Sequence, residues 1–372
     1  MLTVFIIGFG DVGSNKLYPR LLEGINSDKT WKLLTNKEKV KLVVLDVKPP
    51  NTISEKLELA IKAGVKVDYI SNSNGFTPIE IADIFKQNLT EDNFVITYIA
   101  SPNKTHSKYI INTTPYSHLV LVEKPLVENL IEATEIEQKL TDKELAKVKM
   151  IDHYIFKDAV MYLIDYYDKF SENLGKLKHV EFYLLEKGPI RTSRAWLYES
   201  GLIRDLFPHF LSIMFKLKEK NREFLDIGKA RITDVEKARY EDEAVPEQYR
   251  KNAKETFARI KLGIDDVYIN VTIGKGVGNT RKQLIMKYEN GSIILDTVIN
   301  EIRVFKNNII TRIYRRRVEK NHEYKEITKN ILNGNFNIGL DFWRAKRELE
   351  LITETDKYPI TGRYPLGKMP QP

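Results

Sequence analysis

Thr3-Val4-Phe5-Ile6-Ile7-Gly8-Phe9-Gly10-Asp11-Val12-Gly13 stands at the head of the chain. Its first five residues read as a buried strand. The G-x-G-x-x-G that follows opens a helix through Leu17, Leu21 and Leu22. A first glycine permits the tight turn, a second lets a pyrophosphate approach the backbone, and a third allows close helix–strand packing. The helix N-terminus adds amide donors and the positive end of its dipole. Gly8, Gly10, Asp11, Val12 and Gly13 are therefore a candidate dinucleotide cradle.

Working outward, residues 41–45, 67–70, 94–99, 119–122 and 148–151 are further short apolar runs, separated by helical patterns. Strand–helix alternation at this pace predicts a doubly wound parallel sheet covered on both faces. The longer connection between Leu22 and Lys41, with Asn26, Ser27, Asp28 and Asn36, reads as a loop or a helical extension. After Asp152 the pattern changes. An aromatic-rich helix over 159–170 leads into predicted strands at 179–185, 257–262, 267–273, 283–288, 292–298 and 302–305. Few helices intervene, so the second sheet is expected to be mainly antiparallel. The charged stretch 235–249 reads as an exposed helix or loop insertion, and helices at 324–332 and 340–353 close the chain. The fold class is α/β: a doubly wound domain over 1–151, then an α+β domain with a large open sheet over 152–372.

Composition narrows the chemistry. The 372 residues are 42% hydrophobic and 30% charged, ordinary for a globular protein. Cysteine is absent, which excludes disulfides, thiolate metal sites and a cysteine nucleophile. No run approaches a membrane span, and residues 2–7 are too short for a signal peptide, so a cytoplasmic protein with no membrane partner is expected. The formal charge of +8 is interspersed with acid. Its densest run, Arg315-Arg316-Arg317, reads as a solvated strand end, and nucleic acid is not an expected partner. A net positive field suits a phosphorylated substrate.

Asp46 ends the second strand, where a carboxylate hydrogen-bonds the ribose hydroxyls of NAD and repels the 2′-phosphate of NADP. Lys48, two positions on, could accept that phosphate instead, so NAD is favoured over NADP by Asp46 alone. Ser101, Pro102, Asn103 and His106 follow the fourth strand at the carboxyl edge, where such sheets bind ligands. Glu123-Lys124-Pro125 ends the next strand, and Lys124 there could donate to a substrate oxygen. Asp205 and His209 are four apart, on one face of a helix that Pro208 should delay or kink. A carboxylate beside an imidazole can fix its tautomer for general-base catalysis.

Taken together and in this order, these segments resemble the Gfo/Idh/MocA oxidoreductases, NAD(P)-dependent sugar and polyol dehydrogenases with a Rossmann domain and an open-faced sheet domain. Locally the chain is also similar to glucose-6-phosphate dehydrogenase, through residues 15–21, Glu123-Lys124-Pro125-Leu126, Ile151-Asp152-His153-Tyr154 with Lys157, and Gly201-Leu202-Ile203-Arg204-Asp205. The Asp205-to-His209 spacing follows the Gfo-type pattern, and Phe156 replaces a glycine of the dehydrogenase. The resemblance implies a metal-independent hydride transfer with His209 as base, Lys124 on the reacting oxygen, and Asp205 or Asp152 orienting His209. It further implies His153, Tyr154, Lys157 and Arg204 as contacts to a sugar or sugar phosphate, and Glu123 beside the cofactor. A cofactor-binding sensor of the same build is the alternative. A homodimer or homotetramer is expected, because an open sheet offers an apolar face to cover.

Overall fold

Six runs of aliphatic and β-branched residues form the first sheet: β1 (Leu2–Ile7), β2 (Val40–Asp46), β3 (Lys66–Ser71), β4 (Phe94–Ile99), β5 (Leu119–Glu123) and β6 (Val148–Ile151). All their mutual pairings are parallel, in the order β6-β5-β4-β1-β2-β3. This is the doubly wound order, with its reversal beside β1. β1 is buried at every position, as a strand covered on both faces must be. The computed structural model describes residues 1–27, 40–90, 93–315 and 322–368. Most of the connection before β2, including Asp28 and Asn36, lies outside them, as do Arg316 and Arg317.

The second sheet contains β7 (Leu177–Glu186), β8 (Arg231–Tyr240), β9 (Phe257–Ile264), β10 (Val267–Lys275), β11 (Arg281–Tyr288), β12 (Gly291–Asp296), β13 (Glu301–Lys306) and β14 (Ile309–Arg315). Two short strands come late in the chain. β15 (Leu340–Asp341) runs antiparallel to β6 on the first sheet, and β16 (Ile360–Tyr364) runs parallel to β8 on the second. The nine-stranded order is β14-β13-β12-β11-β7-β10-β9-β8-β16, antiparallel except for β7–β10 and β8–β16.

The first part of the expected 235–249 insertion is strand, while short helices, Asp242–Ala244 and Glu247–Arg250, follow it. Residues 231–240 form β8, and their charges are paired across it: Arg259 meets Glu236 at 3.0 Å and Lys261 meets Asp234 at 2.9 Å. Such residues look like a solvated loop in a linear reading, because the side chains that answer them come from the neighbouring strand.

Only one face of the second sheet is apolar. Val180, Phe182 and Leu184 of β7 are buried, and the Phe182 ring lies 5.4 Å from Phe210 of the helix Ile203–Lys220. The alternate residues carry charge and hydrogen bonds: Lys287 donates to Glu181 at 2.6 Å, Arg281 lies 3.4 Å over the Tyr183 ring, and Gln283 donates to Asp296 at 2.8 Å. This second face is mixed: Tyr268 and Ile313 stand exposed on it among the polar groups.

By contact the chain forms two units: Met1–Phe156 with Lys320–Lys346, and Lys157–Glu319 with Arg347–Pro372. The return of a late segment to the first unit was not expected. That segment includes the helix His322–Asn333, which packs on the helix Tyr18–Asn26, where Gly24 makes room for it: a Cβ there would lie 2.7 Å from Leu332. No helix among the described residues is long and apolar enough to cross a membrane.

Candidate active site

Each glycine of the first turn answers to a different constraint. Gly8 has φ +89°, and a Cβ on it would sit 2.5 Å from the Ser101 nitrogen, so the loops after β1 and β4 meet backbone to backbone. A Cβ on Gly13 would lie 2.3 Å from the Gly8 carbonyl oxygen. Gly10, by contrast, faces open space, with nothing within 4 Å of its missing Cβ. The helix that follows begins as a wide π-helical turn over Asp11–Leu17, where the Tyr18 N–H donates to the Gly13 carbonyl, before tightening to α-helix.

Asp46 is 7% exposed and turned inward. The Phe9 N–H donates to one carboxylate oxygen, and the Lys48 N–H donates to the other at 2.8 Å. The carboxylate therefore ties the glycine turn to the end of β2. Lys56, which the sequence did not single out, reaches the same turn and donates to Ser14 at 2.7 Å and to Asn15 at 2.5 Å. Burial holds its ammonium below the ordinary lysine range, and repulsion from Lys48 adds to this. Beyond the ends of β2 and β3 lies a concavity of about 620 Å³, lined by Val47, Pro49, Ile70 and Phe76 with Asn72 and Glu80 among its polar groups.

His106, expected among the cofactor contacts, is fully buried. Its Nε2 lies 2.9 Å from the Ser101 carbonyl, and its Nδ1 lies 3.0 Å and 3.3 Å from the carbonyls of Pro125 and Leu126. It therefore braces the loop after β4 against the loop after β5. Burial pushes its pKa down although the carbonyls favour the cation. The unfolded chain protonates near pH ~6.5, hence His106 contributes stability that is complete above that value and lost as pH falls below it. Replacing His106 by leucine should cost about 1–3 kcal/mol at pH 7.5 by orphaning buried carbonyls. The gap in urea midpoint between parent and variant should narrow at pH 5.5, and a constant gap would contradict this reading.

A cluster gathers at the carboxyl ends of β4, β5 and β6. The Tyr98 hydroxyl donates to the Glu123 carboxyl at 2.5 Å, and the pair is buried. Burial, reinforced by Asp152, pushes the Glu123 carboxyl up to about 7 against the opposing pull of Tyr98 and Lys124. The Lys124–Pro125 bond is cis, and the Lys124 N–H donates to the Ile151 carbonyl at 3.1 Å. Asp152 is wholly buried, accepts from the Tyr154 N–H at 2.8 Å, and lies 4.0 Å from His153. The His153 ring stacks on Tyr324 at 6.2 Å, and the Lys16 ammonium lies 5.7 Å over the same Tyr324 ring. Tyr154 is 4% exposed, more enclosed than an open phosphate contact would be.

Tyr98, Lys16 and Tyr324 were not among the expected site residues. The pattern around Tyr324 identifies a helix, but nothing in it says that this helix returns to the first sheet. Burial raises the Tyr324 phenol far above its ordinary range, with Glu123 and Asp152 adding to the effect.

The second unit holds the other expected group. The helix Ile203–Lys220 runs through Pro208 instead of starting after it, and it carries both Asp205 and His209, each buried. Both carboxylate oxygens of Asp205 accept from Arg194 Nη2, at 2.8 Å each. Arg204, expected at the substrate, forms an ion pair with Asp356 at 2.6 Å. Lys157 also belongs to this unit. Among the described residues, no group of three or more histidine or acidic side chains could hold a metal ion.

Solved structures of very different sequence share this architecture. Glucose-6-phosphate 1-dehydrogenase from Mycobacterium avium superposes with a TM-score of 0.75 at 14% identity, covering 98% of this chain and 94% of its own. The chain has the fold of these oxidoreductases. An oxidoreductase from Agrobacterium radiobacter, in complex with NAD+, L-tartaric acid and magnesium, matches at 0.65 with 14% identity over 95% and 94% of the two chains. The 3-ketoreductase KijD10 from Actinomadura kijaniata, with NADP and TDP-benzene, matches at 0.67 with 10% identity over 98% and 99%. No protein-family model and no curated protein matches the sequence.

Proposed function

We propose that the chain is an NAD(P)-dependent oxidoreductase that moves a hydride between a hydroxyl-bearing carbon of a sugar or sugar phosphate and the nicotinamide. The carrying observation is the glycine turn: Gly8 and Gly13 are sterically obligatory, while Gly10 leaves open the space a pyrophosphate would fill. The concavity beyond β2 and β3, with Val47, Ile70 and Phe76 in its lining, suits an adenine ring. Sugar-active neighbours of the same fold support the substrate class.

A bound nicotinamide would take the hydride from the substrate carbon. In this proposal His209 removes the hydroxyl proton as the C–H electron pair departs, leaving a carbonyl. Lys124 donates a hydrogen bond to that oxygen, and Asp205 or Asp152 positions His209. His153, Tyr154 and Lys157 remain the proposed contacts for a phosphorylated sugar. Glu123 acts through Lys124, as the buried carboxyl next to it in the chain.

Asp46 by itself favours NAD. Its carboxylate is already engaged by two backbone N–H groups, and Lys56, which reaches the glycine turn, feels the charge of Lys48; this pair of cations tips the proposal toward NADP. A thermal-shift titration of the full chain tests this. Ligand at 100 times its dissociation constant stabilises by ~2.7 kcal/mol. The expected order is NADP+ above NAD+, with glucose 6-phosphate enlarging the shift and Lys56→Ala erasing the preference. Absence of any shift with either dinucleotide would overturn the proposal. Dinucleotide binding without turnover across a broad sugar panel would point to the sensor alternative.

A further inference from the structure

Tyr98 and Glu123 belong to neighbouring parallel strands, yet they do not stand opposite one another. The register sets Tyr98 beside Leu121, so Glu123 lies two residues further along the same face of β5. A phenol is long enough to cover that diagonal, and its hydroxyl reaches the carboxyl at 2.5 Å. Tyr98 is wholly buried and Glu123 is 9% exposed. The bond is therefore made away from water, where a hydrogen bond to a charged group is strongest. A side chain that only filled this space would need the ring and not the hydroxyl.

The main chain that follows is fixed on both sides of Lys124. Its own N–H donates to the Ile151 carbonyl at 3.1 Å, and the Pro125 carbonyl lies 3.0 Å from His106 Nδ1. With that backbone held, the charge on Glu123 is what varies beside the lysine. Four further elements of the first unit present groups to this carboxyl: Tyr98 from β4, Asp152 after β6, Tyr324 from the helix His322–Asn333, and Lys16 from the wide turn Asp11–Leu17. Burial favours the protonated form most strongly, and Asp152 adds to it. The Tyr98 hydroxyl leads the groups that favour the carboxylate, ahead of Lys124 and Lys16. The balance falls at about 7, so the loss of one donor changes the charge at neutral pH.

We infer that Tyr98 is a positioning residue for Lys124: its hydroxyl holds the Glu123 carboxyl in the ionised form, and that carboxylate keeps the lysine charged and aligned as a donor. The inference rests on the oxidoreductase reading for the use of that donor, but not for the coupling of the three side chains.

The full chain, reductively methylated with 13C-formaldehyde, reports the coupling without any turnover. In a pH titration by NMR, the Lys124 signal is assigned by its loss in Lys124→Arg. It should show an inflection at about 7 that is absent from Glu123→Gln. Tyr98→Phe keeps the ring and should move that inflection up by ~1 pH unit. Kinetics of the unmethylated variant with NADP+ and glucose 6-phosphate should show the acid limb of kcat moving by the same interval. Turnover then falls ~5-fold at pH 7 and returns to the parental value by about pH 9. A merely structural role would lower turnover at every pH and leave the inflection in place. No inflection in the parent, one at the same pH in parent and Tyr98→Phe, or a kinetic limb that stays put would each overturn the inference. A moved inflection in a chain that oxidises no sugar would instead sink the functional reading and leave the coupling standing.

Discussion

His209→Ala should lower turnover ~10²–10⁴-fold while leaving dinucleotide affinity within about twofold. The loss is that of a general base, because no other imidazole belongs to the helix Ile203–Lys220. His209 is buried on that helix beside an Asp205 already clamped by Arg194, so its surroundings are built rather than incidental. Steady-state kinetics with NADP+ and glucose 6-phosphate provides the measurement. The effect should fall on kcat and kcat/KM together, as expected for an interaction made in the transition state. A variant with normal turnover would remove His209 from the mechanism.

The glycine turn gives the other large effect, and it separates three residues that look equivalent in a motif. Gly13→Ala places a Cβ 2.3 Å from the Gly8 carbonyl oxygen, and Gly8→Ala combines a 2.5 Å approach to Ser101 with φ +89°. Overpacking and backbone strain each cost about 1–3 kcal/mol, so both variants should melt well below the parent and lose the dinucleotide-induced shift. Gly10→Ala meets nothing within 4 Å and should melt with the parent. Its dinucleotide affinity alone should drop, because the added methyl enters only the space proposed for the pyrophosphate. Equal behaviour of the three variants would contradict this division of roles.

The first sheet was legible because its signals are local. Most of its strands are short apolar-rich runs, and the glycine spacing places the turn without help from distant residues. The second sheet was legible wherever one face is apolar, as in β7 and β10. β8 was missed because its charges are answered by Arg259 and Lys261 on β9, a pairing that does not exist along the chain. The site divides in the same way. Glu123, Lys124 and Asp152 are strand-end residues and could be found as such. His106 could not be assigned, since two carbonyl acceptors from a separate loop decide its role. Tyr324 lies far along the chain from every group it approaches. Lys56 was passed over because an amphipathic helix shows many lysines, and only the fold says which one bends back toward the turn.

The return of the late segment to the first unit bears on how the protein is made. β6 leaves the ribosome with an unpaired edge, and the strand that covers it, β15, follows only at residues 340–341. The helix that brings Tyr324 to Glu123 and Asp152 is similarly late. At ~5–20 residues per second, the nascent first unit waits roughly ten to forty seconds for these pieces. During that interval its sheet edge and the face around Gly24 are open to chaperones, and also to other nascent chains. Completion of the first unit therefore waits on residues that lie far along the chain from its opening strand.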